Sequence, residues 1–344
     1  MTVDTWSGDG LRIGPAAEQA ALEAIADAGG MEAFDLIVLT GSLVAGHGHG
    51  YSDVDLFVVP AEGTVVDGRA RDVDGTPVQF NAATHLSLGE FAETFDAYRV
   101  SPSDRSQLFT VHLQAGLKVA TRLAFGRLLH ASPEAEALYR RVDAEVIRRL
   151  VMTECGRQVA RHAEDAAGAL AVGDPLIVLS AVIAALRYAC EAILAAHGDV
   201  YVGDSFLWRR LARLDAEGSL ARTIWYALPG DLPWGAARAT VRRRAESGLD
   251  LAGHLTGHAL LDGWEQRLTQ VPPYTPPVEP VRRNPYFTVL RFGDTVTFAG
   301  PDKAFRTTEQ TARLWLDDAR PATAARKFVE LGLLLPVECD AEGR

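Results

Sequence analysis

The chain has few cysteines and few basic residues. Its three cysteines among 344 residues have no metal-ligand spacing, which argues against a disulfide framework and indicates a reducing compartment. Lysine and arginine total 34 against 45 aspartate and glutamate, a net charge of −11. Broad nucleic-acid binding requires a basic surface, so this charge balance argues against it.

The sequence also lacks a signal-peptide pattern and an uninterrupted membrane span. Residues 1–10 are polar and acidic, and the most apolar stretch, residues 176–196, contains Arg187 and Glu191. Two charged side chains are unusual in a membrane-spanning helix, so this stretch is predicted to be a buried helix. We therefore expect a cytoplasmic protein without membrane contact.

Apolar residues, by contrast, make up 48% of the chain, enough for two or three hydrophobic cores. Residues 1–105 alternate helix and strand signals, which predicts a small mixed sheet covered by helices. The signals are a helix from Pro15 to Ala28, a stop at Gly29-Gly30, strands at 36–39, 54–59 and 78–82, and a hairpin turn at Asp74-Gly75.

The rest of the chain divides into three further segments. Residues 106–270 are almost wholly helical in pattern, which predicts a helical bundle. Residues 271–280 are half proline and form a stiff linker. Residues 281–344 contain a hairpin signal at Gly293-Asp294 followed by helical sequence, which suggests a small winged-helix-like module. The predicted fold class is α+β.

The most informative stretch is GSLVAGHGHGYSDVDL, from Gly41 to Leu56. Asp53 and Asp55 are two residues apart at the start of a predicted strand and so point to the same side of it. Two such carboxylates repel unless a cation neutralises them, and Mg²⁺ favours carboxylate and phosphate oxygens. Gly41 and Ser42 directly follow the preceding strand, where backbone and hydroxyl can bind phosphate. Together these features indicate a nucleoside triphosphate site.

Gly41-Ser42, Gly46 and Ser52-Asp53-Val54-Asp55-Leu56 together resemble the signature of the polymerase-beta-type nucleotidyltransferases. The stretch is most similar to the minimal and aminoglycoside (antibiotic-modifying) members, over about residues 15–85. The resemblance implies that Asp53 and Asp55 hold two Mg²⁺ ions, with Gly41, Ser42 and Ser52 binding the nucleotide. It also implies transfer of a nucleoside monophosphate, expected to be AMP, from an NTP to a hydroxyl-type group of a small molecule, releasing pyrophosphate.

The sequence departs from that family at a third carboxylate on the next long strand. Val78 and Phe80 are predicted to face the core, so Gln79 and Asn81 occupy the polar face near the nucleotide. Neither amide can act as a base. Glu191, an isolated acid in an apolar helix, is the candidate replacement, and an internal ion pair with Arg187 is the alternative.

Two other groups have open interpretations. Trp208-Arg209-Arg210 lies where the family often has a basic and aromatic segment near the triphosphate, and a surface amphipathic helix is equally compatible. His254 and His258 have i,i+4 spacing without the glutamate of a zinc protease, which favours a pair on a helix surface.

The functional alternatives follow from the same residues. The absent third carboxylate favours a catalytically degenerate domain that binds a nucleotide or a partner. The C-terminal module faintly resembles the peptide-binding winged-helix domains of peptide-modifying enzymes, which suggests a peptide or protein acceptor. From residue 281 on it has ten basic and nine acidic residues, which disfavours DNA reading. A packing or dimerisation lobe is the simpler interpretation of that module.

Overall fold

A computed structural model of the chain describes residues 11–66, 70–84, 89, 111–201, 206–215, 219–228, 235–274 and 281–336. The chain divides into two compact units, which are described separately. The first comprises Met1–Arg99, Phe109–Arg148 and Val200–Arg213, and the second Val100–Leu108, Arg149–Asp199 and Leu214–Arg344. The domain boundaries predicted at residues 105, 270 and 280 stay a prediction, and most of the proline-rich linker lies outside the described residues.

The described residues contain both helices and strands throughout, which confirms the predicted α+β class. The helices are α1 (Pro15–Asp27), α2 (Gly41–Val44), α3 (Val111–Phe125), α4 (Pro133–Tyr139), α5 (Ala144–Val172), α6 (Pro175–Ala196), α7 (Leu207–Leu214), α8 (Ser219–Ala227), α9 (Arg238–Leu261), α10 (Glu309–Leu316) and α11 (Ala322–Glu330). The strands are β1 (Phe34–Thr40), β2 (Val54–Pro60), β3 (Arg71–Val73), β4 (Thr76–Ala82), β5 (Arg127–Ala131), β6 (Val281–Arg283), β7 (Thr288–Phe292), β8 (Thr295–Ala299), β9 (Ala304–Thr307) and β10 (Leu334–Pro336).

The first unit is built on a mixed sheet, whose described strands have the order β3-β4-β2-β1-β5. β2 and β4 run parallel, whereas every other neighbouring pair is antiparallel. β1 and β2 are buried along almost their whole length, because they are central strands with apolar side chains on both faces. The predicted strands of residues 36–39, 54–59 and 78–82 are confirmed.

Helix α1 covers one face of this sheet and also forms as predicted. Pro15 occupies the first turn, where its missing N–H costs no hydrogen bond. Ala24 and Ile25 pack into one core with Phe34 and Phe80. The helix ends before two glycines with left-handed φ angles of +111° and +85°.

The predicted hairpin between β3 and β4 is also present. Asp74 and Gly75 have φ angles of +49° and +81°. Both central residues of a type I′ turn need positive φ, which aspartate tolerates better than most residues and glycine adopts without strain. β4 pairs with β3 through this turn and with β2 on its other side, so the polar face of β4 lies next to Asp55.

Strand β5 is a correction to the sequence prediction, which made residues 106–270 almost wholly helical. Arg127 and Leu128 pair with Leu39 and Val38 in an antiparallel ladder along the open side of β1. The apolar run between Gly126 and Ser132 is too short for periodicity to separate strand from helix, and only the pairing with β1 decides it.

The long helices of the second unit include α6, the most apolar one in the sequence. This helix is long and apolar enough to cross a membrane, but 56% of its most apolar window is buried inside the protein, as in the core helix of a soluble protein. It packs along α9, and Ala185 and Ala189 are among its fully buried residues. The absence of membrane contact and the cytoplasmic location stay predictions.

The C-terminal part of the second unit confirms the predicted hairpin and the helical sequence predicted after it, which forms α10 and α11. β7, β8 and β9 form an antiparallel sheet, and β6 pairs with β10. Phe298, Trp315 and Phe328 form the centre of its core. The short strands β6, β9 and β10 add to the two strands of that hairpin, β7 and β8.

Candidate functional site

The site begins where β1 ends and β2 starts. Thr40, the last residue of β1, lies opposite Asp55 in the antiparallel register. Gly41 follows with a φ of +88°, and a Cβ atom built there would lie 2.8 Å from Asp55 Cγ. A glycine is therefore required at position 41 for two reasons. Its backbone is left-handed, and the Asp55 carboxylate occupies the space that a side chain would need. Close approach of a phosphate, the reason expected from the sequence, is not needed to explain this glycine.

Asp53 and Asp55 lie at the start of β2 as predicted. Both are half-buried, whereas Val54 and Leu56 between and after them are buried. Burial raises the pKa of Asp55 above its usual value, and the neighbouring Asp53 charge raises it further. Arg122 of α3 and a hydrogen bond from Asn81 partly oppose this rise in pKa. The arrangement favours a bound cation.

The polar face of β4 has the alternation that the sequence predicts. Val78 and Phe80 are buried, and Gln79 and Asn81 are half-exposed. Gln79 pairs with Asp55 in the parallel register, and the Asn81 Nδ2 donates to Asp55 Oδ1 at 3.1 Å. An ionised carboxylate can only accept hydrogen bonds, so Asn81 must present its NH₂ group here. That NH₂ group cannot ligate a cation.

Ser42 and Ser52 occupy different parts of the loop between β1 and β2. Ser42 is 7% exposed and lies in the short helix α2, where its carbonyl oxygen accepts from the His47 N–H at 2.7 Å. The Ser52 hydroxyl accepts from the His49 N–H at 2.9 Å. Ser52 therefore fixes the loop directly before Asp53. Nucleotide contacts for both serines, and for Gly41, Gln79 and Asn81, stay predictions.

The glycine-rich loop is also held by helix α7, within the same unit. The Arg209 Nη1 donates to the His47 carbonyl at 2.6 Å and to the Gly48 carbonyl at 3.1 Å. Arg213 donates to the Gly46 carbonyl at 2.6 Å and contacts His47 Nδ1. The contacts of Arg209 point to a role that neither of the two sequence interpretations of this basic segment included. Arg209 fixes the loop between Ser42 and Ser52.

Aromatic side chains surround the base of this loop. His47 is 1% exposed, with its ring centroid 5.1 Å from that of Tyr201 and 5.8 Å from that of Phe206. Arg210, which is almost completely buried, lies 6.0 Å from the Tyr201 ring. Burial raises the pKa of the Tyr201 hydroxyl, the charges of Asp55 and Asp53 raise it further, and Arg122 and Arg210 lower it. Tyr201 thus lies within electrostatic reach of the carboxylate pair.

Sequence reasoning missed Arg122, Tyr201 and the loop-holding role of Arg209. Arg122 is in α3 and Tyr201 precedes α7, far along the chain from Asp53. No motif or spacing marks these residues, because they meet the carboxylates only through the tertiary fold. An arginine in an amphipathic helix has the same pattern whether it faces solvent or a site.

Glu191 and the histidine pair lie in the second unit. Glu191 is 5% exposed in α6, and its role as a base stays a prediction. The prediction that His254 is on a helix surface is wrong, since it is 5% exposed and its ring packs 4.5 Å from that of His258 and 5.2 Å from that of Tyr274. Helix α9 buries nearly all sides of its C-terminal half, so i,i+4 spacing there does not indicate a solvent face.

The donor set can be tested against the two Mg²⁺ ions that the family resemblance implies. Asp53 and Asp55 supply two adjacent carboxylates, which fit one hard cation shared with phosphate oxygens. In the part of the chain that the structure describes, no group of three or more His, Cys, Asp or Glu side chains could hold a metal ion. Among the described residues, the carboxylate pair fits one ion, and no third carboxylate, histidine or cysteine joins it to hold a second.

Comparisons with known proteins give a structural likeness without a family match. No family model and no curated protein matches the chain. Among solved structures, it is similar to a nucleotidyltransferase-like protein from Exiguobacterium sibiricum 255-15, with a TM-score of 0.37 and 14% identity over 71% of this chain and 78% of that one. A likeness of this size leaves the functional assignment to the residues of the site.

Proposed function

We propose that this chain is a nucleotidyltransferase. It binds a nucleoside triphosphate, expected to be ATP, through a divalent cation held by Asp53 and Asp55, and transfers the nucleoside monophosphate to a small-molecule acceptor. The observation that carries this proposal is the position of the Asp55 carboxylate. It lies against the Gly41 backbone, beside Asp53 and in hydrogen-bond contact with Asn81, an arrangement that a solvated turn of aspartates would not require.

Each residue of the site has a separate task in this reaction. Asp53 and Asp55 hold the cation, which when bound draws charge from the phosphate oxygens. Ser52 fixes the approach to Asp53, and Arg209 and Arg213 keep the loop in place. Ser42, which follows Gly41, would donate its hydroxyl to an outer phosphate oxygen. A fixed loop favours transfer, because no ordering is needed when the nucleotide binds.

A hydroxyl acceptor would need a base to take its proton. Glu191 remains the candidate proposed for that role, with Gln79 and Asn81 where a third acid is expected. The reducing compartment and the absence of nucleic-acid or membrane partners belong to the same proposal, as does a peptide-binding or dimerising role for the C-terminal module.

A nucleotide-binding protein without turnover is the second candidate. The observation that favours it is the Asn81 amide at 3.1 Å from Asp55, where a carboxylate would complete a two-metal ligand set. Such a protein would bind NTP and cation but release no pyrophosphate.

One experiment separates these functions. The full chain is incubated with Mg²⁺ and each of the four NTPs labelled at the γ-phosphate, with and without candidate small-molecule acceptors, and both equilibrium binding and release of labelled pyrophosphate are measured. Metal-dependent binding that is lost in Asp53→Asn and kept in Asp27→Asn, an exposed acid at the end of α1, supports the site. Binding that does not depend on metal or on Asp53 would contradict both candidates.

A further inference from the structure

The side-chain amide of Asn81 limits which kind of acceptor group the site can activate. A hydroxyl group attacks a phosphorus atom effectively only if a base removes its proton, a contribution of about two to four orders of magnitude. Asn81 cannot remove a proton, and its NH₂ group faces the carboxylate of Asp55. The position that is next to the cation ligands therefore offers a hydrogen-bond donor and no base.

Among the described residues, two arginines act electrostatically around the carboxylate pair. Arg122 is close enough to Asp55 to lower the pKa of that carboxyl group against the effect of burial. Arg210 is 1% exposed, lies 6.0 Å from the Tyr201 ring and acts electrostatically on the same tyrosine as Asp55 does. Guanidinium groups favour planar anions such as carboxylates and phosphates, so the positive charge of Arg122 supports an anionic ligand near the carboxylate pair.

We infer that the acceptor is an anionic oxygen, that of a carboxylate or a phosphate monoester, and that the site holds a single divalent cation. The inference rests on the proposed function and replaces the hydroxyl acceptor in it. An anionic oxygen is a nucleophile without losing a proton, so neither a base nor a second cation is needed to activate it. The positive charge of Arg122 reduces the repulsion between this acceptor and the triphosphate.

The reaction balances without a proton transfer. One acceptor oxygen forms a bond to the α-phosphorus, and the bond from that phosphorus to the oxygen bridging to the β-phosphorus breaks. The bridging oxygen leaves with the electron pair as part of pyrophosphate. The product is a mixed anhydride, an acyl phosphate ester of the nucleoside from a carboxylate or a diphosphate from a phosphate monoester.

Metal counting tests the single cation without requiring turnover. The full chain, saturated with a non-hydrolysable ATP analogue, is titrated with Mn²⁺, and bound ions are counted by electron paramagnetic resonance. We expect one Mn²⁺ per chain. Asn81→Asp restores a carboxylate beside Asp55, so it should bind a second ion at least about tenfold more tightly than wild type. Gln310→Glu is the matched control, since it adds the same charge at an exposed position of α10, away from the carboxylate pair in the sequence and outside the predicted site.

Matched acceptors test the chemistry of the attacking group. The probes are benzoate against benzyl alcohol and glucose 1-phosphate against glucose, at equal concentration with MgATP, and pyrophosphate release is measured between pH 6 and 9. We expect the anionic member of at least one pair to stimulate release at least about tenfold more than its neutral partner, at a rate nearly independent of pH. Comparison of the two pairs distinguishes carboxylate from phosphate acceptors.

A base-dependent reaction would give a different result. Greater release with the alcohols, a rate that rises with pH, or a large loss of rate in Glu191→Gln would overturn the anionic acceptor and leave nucleotide transfer intact. Two Mn²⁺ ions on the wild-type chain would overturn the single cation. Nucleotide binding without release for any probe would overturn transfer itself, and the absence of metal-dependent nucleotide binding would overturn the proposed function.

Discussion

The carboxylates of the two units have opposite electrostatic surroundings. In the first, Asp53 and Asp55 lie side by side at the start of a strand, and burial and mutual repulsion raise the pKa of Asp55. In the second, Asp250 is 6% exposed and accepts two hydrogen bonds from Arg283, at 2.9 and 3.1 Å, and one from the Tyr274 hydroxyl at 2.9 Å.

The partners of Arg283 complete the second cluster. This guanidinium also donates to Asp318 Oδ1 at 3.1 Å and to the Leu316 carbonyl at 3.2 Å. Asp250 raises the pKa of Arg283 against the effect of burial, and burial followed by Asp250 raises the pKa of Tyr274. Every charge in the cluster has an opposite charge within the unit.

The comparison teaches how a structural acid differs from a functional one. A buried carboxylate whose lone pairs and charge are satisfied internally fixes the fold and has nothing left for a ligand. Asp53 and Asp55 keep an excess of negative charge on a half-buried face, which a cation would neutralise. The Asp250 arrangement stabilises the fold, and the Asp53–Asp55 pair is proposed to bind a cation.

Removing a carboxylate from the first cluster should give the largest effect on function. We expect Asp55→Asn to abolish metal-dependent NTP binding and to lower any transfer by at least about a thousandfold, because the cation loses one of its two ligands. The free energy of unfolding without ligand should stay equal or rise, because the repulsion with Asp53 is removed. Isothermal titration and urea unfolding measure both quantities.

The exposed Asp27→Asn serves as the control for that substitution and should change neither quantity. Turnover near that of wild type in Asp55→Asn would break the comparison, because Asp55 would then be a structural residue like Asp250.

Removing the carboxylate of the second cluster should act on stability alone. Asp250→Asn leaves the buried Arg283 with only the half-exposed Asp318 as a counter-charge, so the free energy of unfolding should fall by about 3 kcal/mol. Metal-dependent NTP binding by the protein that remains folded should be unchanged. Asp294→Asn, in the exposed turn between β7 and β8, is the control and should unfold as wild type does.

A smaller effect should appear as pH dependence of stability in the second unit. Burial, with the charges of His258 and Arg283, lowers the pKa of His254 to about 3 from an ordinary 6.5. Between those values the unfolded chain binds one more proton than the folded chain at this residue. Stability is therefore complete above pH 6.5 and falls below it by about 1.4 kcal/mol per pH unit.

Urea unfolding at pH 7, 6 and 5 measures this fall in wild type and in His254→Leu. In the variant, the free energy of unfolding should change with pH less steeply than in wild type, by about 1.4 kcal/mol per pH unit, the contribution of one proton. Identical slopes in the two proteins would show that His254 is protonated in the folded state and that the second cluster is less closed than its contacts imply.

The smallest effect concerns the serine beside the first cluster. Ser42→Ala should weaken ATP binding about tenfold, the loss of one hydrogen bond to an ionised oxygen, while AMP binding changes much less. The Ser42 hydroxyl is predicted to bind an outer phosphate, which AMP lacks. Titration of the variant with ATP and AMP in Mg²⁺ gives both affinities. An equal loss of affinity for both nucleotides would show that Ser42 only supports the loop, as Ser52 does.

Much of the first unit could be predicted from its sequence, because its signals are local. Pro15 marks the start of α1, and Gly29 marks its end. Asp74-Gly75 specifies the turn before β4, and the alternation of Val78, Gln79 and Phe80 assigns the two faces of that strand. Strand β5 could not be predicted, since its five residues become a strand only by pairing with β1.

The sequence by itself determined the α+β class and the two neighbouring aspartates after a Gly-Ser pair, because strand alternation and turn chemistry depend on residues a few positions apart. Only the tertiary structure decided that Asn81 donates to Asp55, that Gly41 makes room for that carboxylate, and that Arg122 stands beside it. It also placed His254 in a core. Charge pairing and burial depend on which distant segments meet, and no local pattern encodes that meeting.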